Sequence, residues 1–431
     1  MSKRNSPSVA GLLAILLLSG SLTSESHAQA IGVELHNTVM PASGGMGGVS
    51  IANPQDLPSA LHGNPATLSQ FGGTHFTFSG AWVEPTIKMR HTTPPGGVFQ
   101  GVGSYQGKSS AQGSALGNIA VSQDLRPLGI PGTFGVGLIA ASGAGNSFRH
   151  IPASNGTSAF FNVLEITPAV GLELTERLSV GANLMLGNST LDGPFVGLTG
   201  AAYDYALRGA IGLNYAVAPA TKLGVYYQTK QSFTFDQAAI IQLPLGGTSI
   251  NDIRLDLPSN VGIGISDESL MCGRLLLAVD VLYKNWDDTD LFGVLYDDQW
   301  VFQFGAQYKV TECLRVRAGY VYAENATQAN PGNSSGGVTP PGAQAAIRYV
   351  QSLFPNYNKH RISFGVGMKN ILPNVDVDLN AGGMFDETQQ FGPLTSTSLA
   401  SYWIGTGLTW HFGGSSCDCG EGMPCECTVT Q

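Results

Sequence analysis

The chain has 431 residues, a formal net charge of −9, 43% apolar residues, only 12% charged residues and 57 glycines. The acidic balance argues against nucleic acid as a partner, since phosphate binding needs an excess of Lys and Arg. Beyond the N-terminal leader no window offers about 18 uninterrupted apolar residues, which excludes a spanning helix; moderate hydropathy of this kind is what a membrane β-barrel gives, because lipid-facing and lumen-facing residues alternate and average out.

Lys3 and Arg4, the apolar run 9–18 and the small-x-small site Ala28-Gln29-Ala30 predict a secretory signal peptide over residues 1–30. Residues 31–73 follow as a glycine-rich stretch with six glycines between Gly32 and Gly63 and three prolines alongside them. That density excludes a long regular helix or strand and favours a compact, turn-rich piece of chain with no core of its own. It holds Asp56, Ser59-Ala60 and Asn64-Pro65-Ala66 just before the first good strand. Alone, Asn-Pro-Ala reads as an ordinary surface turn. In this context residues 31–73 are expected to be a plug, or hatch, inside a barrel built from residues 74–412.

Period-two alternation then marks residues 74–90, 115–124, 133–143, 159–174, 177–190, 201–217, 221–236, 251–266, 274–286, 299–309, 314–324, 359–369, 373–385 and 400–412. These are about 14 strands, an even number of membrane-spanning length. Connections after even-numbered strands are short, as at 175–176, 218–220 and 370–372, whereas those after odd-numbered strands, including 91–114, 144–158 and 325–358, are long and polar. An outer-membrane barrel sorts its loops in this way. The two strand faces also differ in chemistry. Tyr402, Ile404, Leu408, Trp410 and Phe412 oppose Gly405, Gly407, Thr409 and His411; Leu314, Val316, Ala318, Tyr320 and Tyr322 oppose Arg315, Arg317 and Gly319; Ile253, Leu255, Leu257, Val261 and Ile263 oppose Asp252, Arg254, Asp256 and Asn260. A charge facing lipid at the midplane costs roughly 2–4 kcal/mol, so the polar sets are expected to face inward. The fold class is therefore all-β, a transmembrane antiparallel barrel with an N-terminal hatch.

The chain resembles the FadL-type outer-membrane transporters of long-chain fatty acids and other hydrophobic compounds. The resemblance rests on the glycine-rich mature N-terminus, Asp56 with Ser59-Ala60, Asn64-Pro65-Ala66 leading into the first strand, Leu257-Pro258, residues 280–286 (DVLYKNW) and Arg317-Ala318-Gly319-Tyr320. It implies a 14-stranded barrel with a hatch, passive uptake of an apolar ligand, and exit through the lumen or sideways through the wall. The chain departs from the family after Phe412, where residues 413–431 form a Cys-rich tail that is expected to be periplasmic.

A cargo carboxylate would need a cation in the lumen, where an ion pair is worth more than in water. Arg317, Arg208, Lys284, Arg315 and Arg361 are the candidates; alternatively each pairs with Asp204, Asp252, Asp256, Asp280, Asp376 or Asp378 to satisfy a polar interior. Ile31, Val33, Leu35, Met40, Met46 and Phe71 are candidate apolar ligand contacts, or plain packing of plug against wall. Cys417, Cys419, Cys425 and Cys427 favour disulfides over zinc, since Cys-x-Cys is not the usual metal spacing. Cys272 and Cys313 open strands two apart, nominally about 10 Å, which exceeds disulfide reach without loop movement. The scattered histidines and the lack of a Gly-x-Ser-x-Gly elbow argue against an enzyme; no metal and no cofactor are expected. The expected partners are a hydrophobic small molecule and outer-membrane lipid, with the protein a monomer. The alternative class is a general diffusion porin or an adhesive surface protein, and size-dependent sugar uptake would mark the porin.

Overall fold

A strand whose alternate residues are apolar on one side and small or polar on the other suits a wall between lipid and a filled interior. In the computed structural model, which describes residues 30–34, 36–94, 101–193, 196, 200–242, 248–331 and 341–412, this pattern gives eighteen strands. They are β1 (Ala30–Glu34), β2 (Thr74–His91), β3 (Tyr105–Lys108), β4 (Ser114–Asp124), β5 (Gly132–Ser147), β6 (Ser158–Glu173), β7 (Leu178–Gly193), β8 (Gly200–Ala218) and β9 (Thr221–Gln228). Then come β10 (Gln231–Gln242), β11 (Thr248–Leu257), β12 (Ser259–Leu270), β13 (Leu275–Asn285), β14 (Gln299–Lys309), β15 (Leu314–Ala323), β16 (His360–Leu372), β17 (Val375–Phe391) and β18 (Thr395–Phe412). Three short helices are α1 (Leu57–His62), α2 (Phe292–Leu295) and α3 (Pro341–Leu353). The leader, Leu35 and the tail with Cys417, Cys419, Cys425 and Cys427 lie outside the described residues.

Fourteen strands, β2, β4 to β9 and β12 to β18, pair antiparallel in sequence order. The ring closes where β18 pairs with β2 from Thr395 opposite His91 to Phe412 opposite Thr74. The outer face carries exposed Phe78, Ile119, Ile211, Ile263, Phe364 and Ile404. Such a band is stable only against lipid.

The structure corrects two of the strands read from sequence. The alternating segments 221–236 and 251–266 are each broken in the middle. β9 and β12 stay in the wall, but β10 and β11 pair only with each other and leave it. Pro258 sits at one break, where it cannot donate to a ladder. Arg208 spans both breaks, donating from Nε to Thr229 O and from Nη2 to Pro258 O, each at 3.1 Å. Leu255 and Leu257, read as lipid-facing, are consequently buried, and Asp252 and Arg254, read as inward, are exposed.

Five further elements went unread. β1, which pairs with β5, and α1 lie in the stretch expected to be irregular, and β3, α2 and α3 lie in loops. Cys272 and Cys313 are both disulfide-bonded. The strand-spacing argument treated their turns as straight continuations of the sheet. Met271, Cys272 and Gly273 instead take left-handed φ angles of 51°, 57° and 77°, which fold the turn off that line.

Candidate functional site

The site is built from the N-terminal segment outward. Asp56 caps α1, its Oδ1 accepting from Ser59 N at 2.9 Å, and its Oδ2 accepts from Ala42 N at 2.9 Å and Ser43 N at 2.7 Å. One carboxylate thus folds the two halves of the segment onto each other. Asn64 does the same at the second turn: Oδ1 accepts from Ala66 N at 3.1 Å, while Nδ2 donates to Ile51 O at 2.8 Å and to Leu213 O of β8 at 2.9 Å. Pro65 opens the following 3₁₀ turn, Pro65–Gln70, with its φ preset and no N–H to satisfy.

Residues 36–69 are almost wholly buried and lie against the inward-facing sides of the strands. A Cβ on Gly212 would collide with Asn64 Oδ1, and one on Gly181 would collide with Pro65 and Ala66. Inward polar side chains bind the segment's backbone. Asn183 donates to Leu61 O at 2.8 Å, Asn214 to Ala52 O at 2.8 Å, Gln303 to Gly47 O at 3.0 Å and Asn380 to Met40 O at 2.8 Å. These amide groups of the inner wall are thus engaged by the segment's own carbonyls.

Above the segment lies a charged cluster. Glu34, at the end of β1, accepts from Arg208 Nη1 at 3.1 Å, stands 2.9 Å from Lys284 Nζ, and accepts from Asn260 Nδ2 at 2.9 and 3.0 Å. Burial works to raise the Glu34 pKa, but Lys284 and Arg208 outweigh it and hold the carboxyl well below the usual range. Arg361 is also buried and, among the described residues, has no carboxylate partner and an unpaired Nε. It shares a small hollow with Glu34, His36, Lys284, Trp286 and Asn356. Burial drives the His36 pKa down to about 3 and that of His62 to about 4, with neighbouring cations adding to both shifts. His36 stacks on Tyr226, ring centroids 6.1 Å apart at 7°.

Trp286 joins this hollow to an apolar cluster toward the long-loop end. There it meets Phe292 at 5.5 Å and Tyr296 at 5.2 Å, and Phe292 meets Phe354 at 5.6 Å. Leu255, Phe233 and Leu353 belong to the same cluster. The inward-folded β10–β11 hairpin and the loop helix α3 therefore cap the lumen with apolar side chains.

The wall opens at β5. The β4–β5 ladder ends at Ile119 opposite Leu138, although both strands continue. A register shift between Ala140 and Ser142 marks a bulge, beyond which β5 pairs with β6 and with β1, Glu34 lying opposite Ser142. A cavity of about 380 Å³ fills the gap. Exposed Phe78, Ile119 and Leu164 line it on the outside and Asn162 and buried Ser142 on the inside. The Ser142 hydroxyl has no hydrogen-bond partner among the described residues.

Of the cations read from sequence, Arg208, Lys284 and Arg361 come together. Arg317 does not join them: it donates from Nη1 to Asp378 at 2.6 Å and from Nε to Gln307 at 2.7 Å. Arg315 is half-buried near the short-turn end, with its Nε unpartnered. Met40 and Met46 are buried in the segment, Met46 beside Val49, Leu276 and Ala278. Phe71 packs on the Leu61 and Leu68 cluster, edge-on to His75 at 5.7 Å. Ile31 and Val33 lie in β1, paired with β5. The residue that sequence reasoning missed is Glu34. Its signal was available, since Glu34 and Asp56 are the sole charged residues among 31–73 apart from histidine.

No family model and no curated protein sequence matches the chain. Solved structures do. The P. putida toluene transporter TodX aligns at 19% identity over 86% of this chain and 98% of its own, with a TM-score of 0.62. A Pseudomonas aeruginosa FadL homologue aligns at 15% identity over 88% and 100%, with a TM-score of 0.66. The Ralstonia pickettii toluene transporter TbuX aligns at 18% over 86% and 98%, with a TM-score of 0.55.

Proposed function

From the FadL-type fold that this chain has in common with those transporters, we propose that it is an outer-membrane channel for passive uptake of hydrophobic small molecules. Residues 31–73 act as the hatch, the long loops face outward, and the opening beside β5 is the exit. One observation carries this reading: the β4–β5 ladder ends while both strands continue, leaving a cavity that joins lipid-facing Phe78 and Ile119 to buried Ser142. Apolar cargo can leave through such an opening without crossing the hatch that fills the lumen. A porin has no use for it.

Long-chain fatty acids are the cargo that uses every part of the site. Their chains suit the Trp286, Phe292 and Phe354 cluster, and their carboxylate suits buried Arg361, which has no carboxylate partner among the described residues. A neutral hydrocarbon, the cargo of the toluene transporters, would leave that guanidinium idle.

The test is saturable binding and cell uptake of a labelled long-chain fatty acid and of toluene, with wild type beside Arg361→Leu. Fatty-acid binding weakened tenfold or more in the variant, with toluene unaffected, supports the acid cargo. Toluene binding alone would move the cargo to hydrocarbons. Binding of neither, with size-dependent sugar flux, would overturn the transporter reading.

A further inference from the structure

We propose that the outer face of β2 and β3 is a binding site for a phosphorylated, multi-acyl lipid of the outer leaflet. Lys88 and Lys108 lie directly opposite each other across the β2–β3 pair, and Arg90 lies two residues on from Lys88, opposite Gln106. All three cations are exposed on one face. Among the described residues none of them makes a hydrogen bond or an ion pair. Like charges placed directly opposite on a sheet repel, and a chain of net charge −9 has acids enough to separate them. What this arrangement lacks is an anion from outside.

The strand below the cations shows where that anion is attached. Going down the same face of β2, Lys88 is followed by Thr86, Glu84 and Trp82. Trp82 donates from Nε1 to Glu84 Oε2 at 3.1 Å, which places an indole and its polar tip at the level where a membrane interface is expected. Beside Glu84 and Thr86 the outer wall is indented by a hollow of about 480 Å³, walled by Ile362, Phe364, Phe385 and Tyr402. The indentation exists because Gly383 faces outward between Ile362 and Tyr402, its partners on the neighbouring strands, and brings no side chain. At about 3.4 Å per residue, Lys88 and Arg90 stand roughly 7 and 14 Å along the strand from Thr86. Three cations above an apolar slot, on one continuous surface, match a ligand with phosphate at one end and acyl chains at the other. A free phosphate would use the cations and leave the slot empty; an ordinary annular lipid would use the slot and ignore the cations.

The probe is bisphosphorylated lipid A, titrated onto the purified full-length protein in detergent and followed by native mass spectrometry. Wild type is compared with Lys88→Gln/Arg90→Gln/Lys108→Gln and with Gly383→Phe, each checked for the heat-modifiable folded band. The triple variant is expected to retain the lipid at least tenfold less well, and Gly383→Phe several-fold less well with its charges intact. Dephosphorylated lipid A should bind wild type no better than it binds the triple variant. Equal retention by all three proteins, or displacement of the lipid by equimolar inorganic phosphate, would overturn the proposal. If the triple variant does not fold, Gly383→Phe and the phosphate competition on wild type decide it. The assay reads lipid binding alone, so its failure and failure of the uptake reading are separately visible.

Discussion

Asp280, in the middle of β13, holds Ser50 by its backbone: one carboxylate oxygen accepts from Ser50 N at 2.6 Å and also from Ile51 N at 2.9 Å. Wall and N-terminal segment are thereby joined through two amides that have no other partner among the described residues. Asp280→Ala should leave both N–H groups buried and unpaired, at about 1–3 kcal/mol each. Hydrogen exchange over residues 48–53 should then rise sharply, and Asp280→Asn, which keeps one acceptor oxygen, should recover most of the protection. Unchanged exchange in Asp280→Ala would mean that the segment is held elsewhere.

Gly212 faces Asn64 too closely for a methyl group. Gly212→Ala should cost about 1–3 kcal/mol of hatch seating through overpacking and appear as added open-channel current in planar bilayers. In an Asn64→Ala background the same change should add little, because the colliding oxygen is gone. Additive effects of the two substitutions would refute this contact as the cause.

His36 and His62 contribute to the seating of the N-terminal segment with a pH dependence of definite sign. Their folded pKa values, about 3 and about 4, lie below the ordinary 6.5, so the released segment binds more protons than the seated one between those limits. The contribution of these two rings to the seating of the segment is fully present above pH 6.5 and falls as pH drops through that window. At pH 5 the loss is about 2 kcal/mol per histidine. Proteolysis of residues 31–73 should therefore speed up between pH 7.5 and pH 5, and His36→Gln/His62→Gln should flatten the profile. Identical wild-type and double-variant profiles would contradict the burial of both rings.

Ala140 lines the wall opening. Ala140→Trp should fill it, cutting cellular uptake of a hydrophobic cargo at least tenfold while leaving binding to the purified protein within twofold. Uptake at the wild-type rate would show that cargo leaves by another route.

The barrel was legible because alternation with period two reports a wall, and loop length sorted by parity reports two ends. Alternation does not say what lies beyond the apolar face. Leu255 and Ile263 carry the same pattern, yet Ile263 meets lipid and Leu255 is buried in the lumen's apolar cap. The inward turn at Pro258 separates them, and it depends on Arg208 bridging to Thr229. The site was legible in its residue types but not in its pairing. Arg208 meets Glu34 across 174 positions, and only the bulge in β5 that receives β1 brings Glu34 there. Arg361 was one of five candidate cations, behind Arg317 and Arg208 in depth along the strand, until the other partners were placed.

The close fit of Pro65 and Ala66 against Gly181, of Asn64 against Gly212, and of Gly47 against Gly319 also sets an order of construction. A segment gripped from several sides at less than methyl clearance cannot be threaded into a finished cylinder. The sheet has to wrap around it, with the long β2–β18 seam zipped last. Chain order agrees, since the segment precedes the first strand of the wall. The N-terminal segment is in this sense the mandrel on which the barrel is wound.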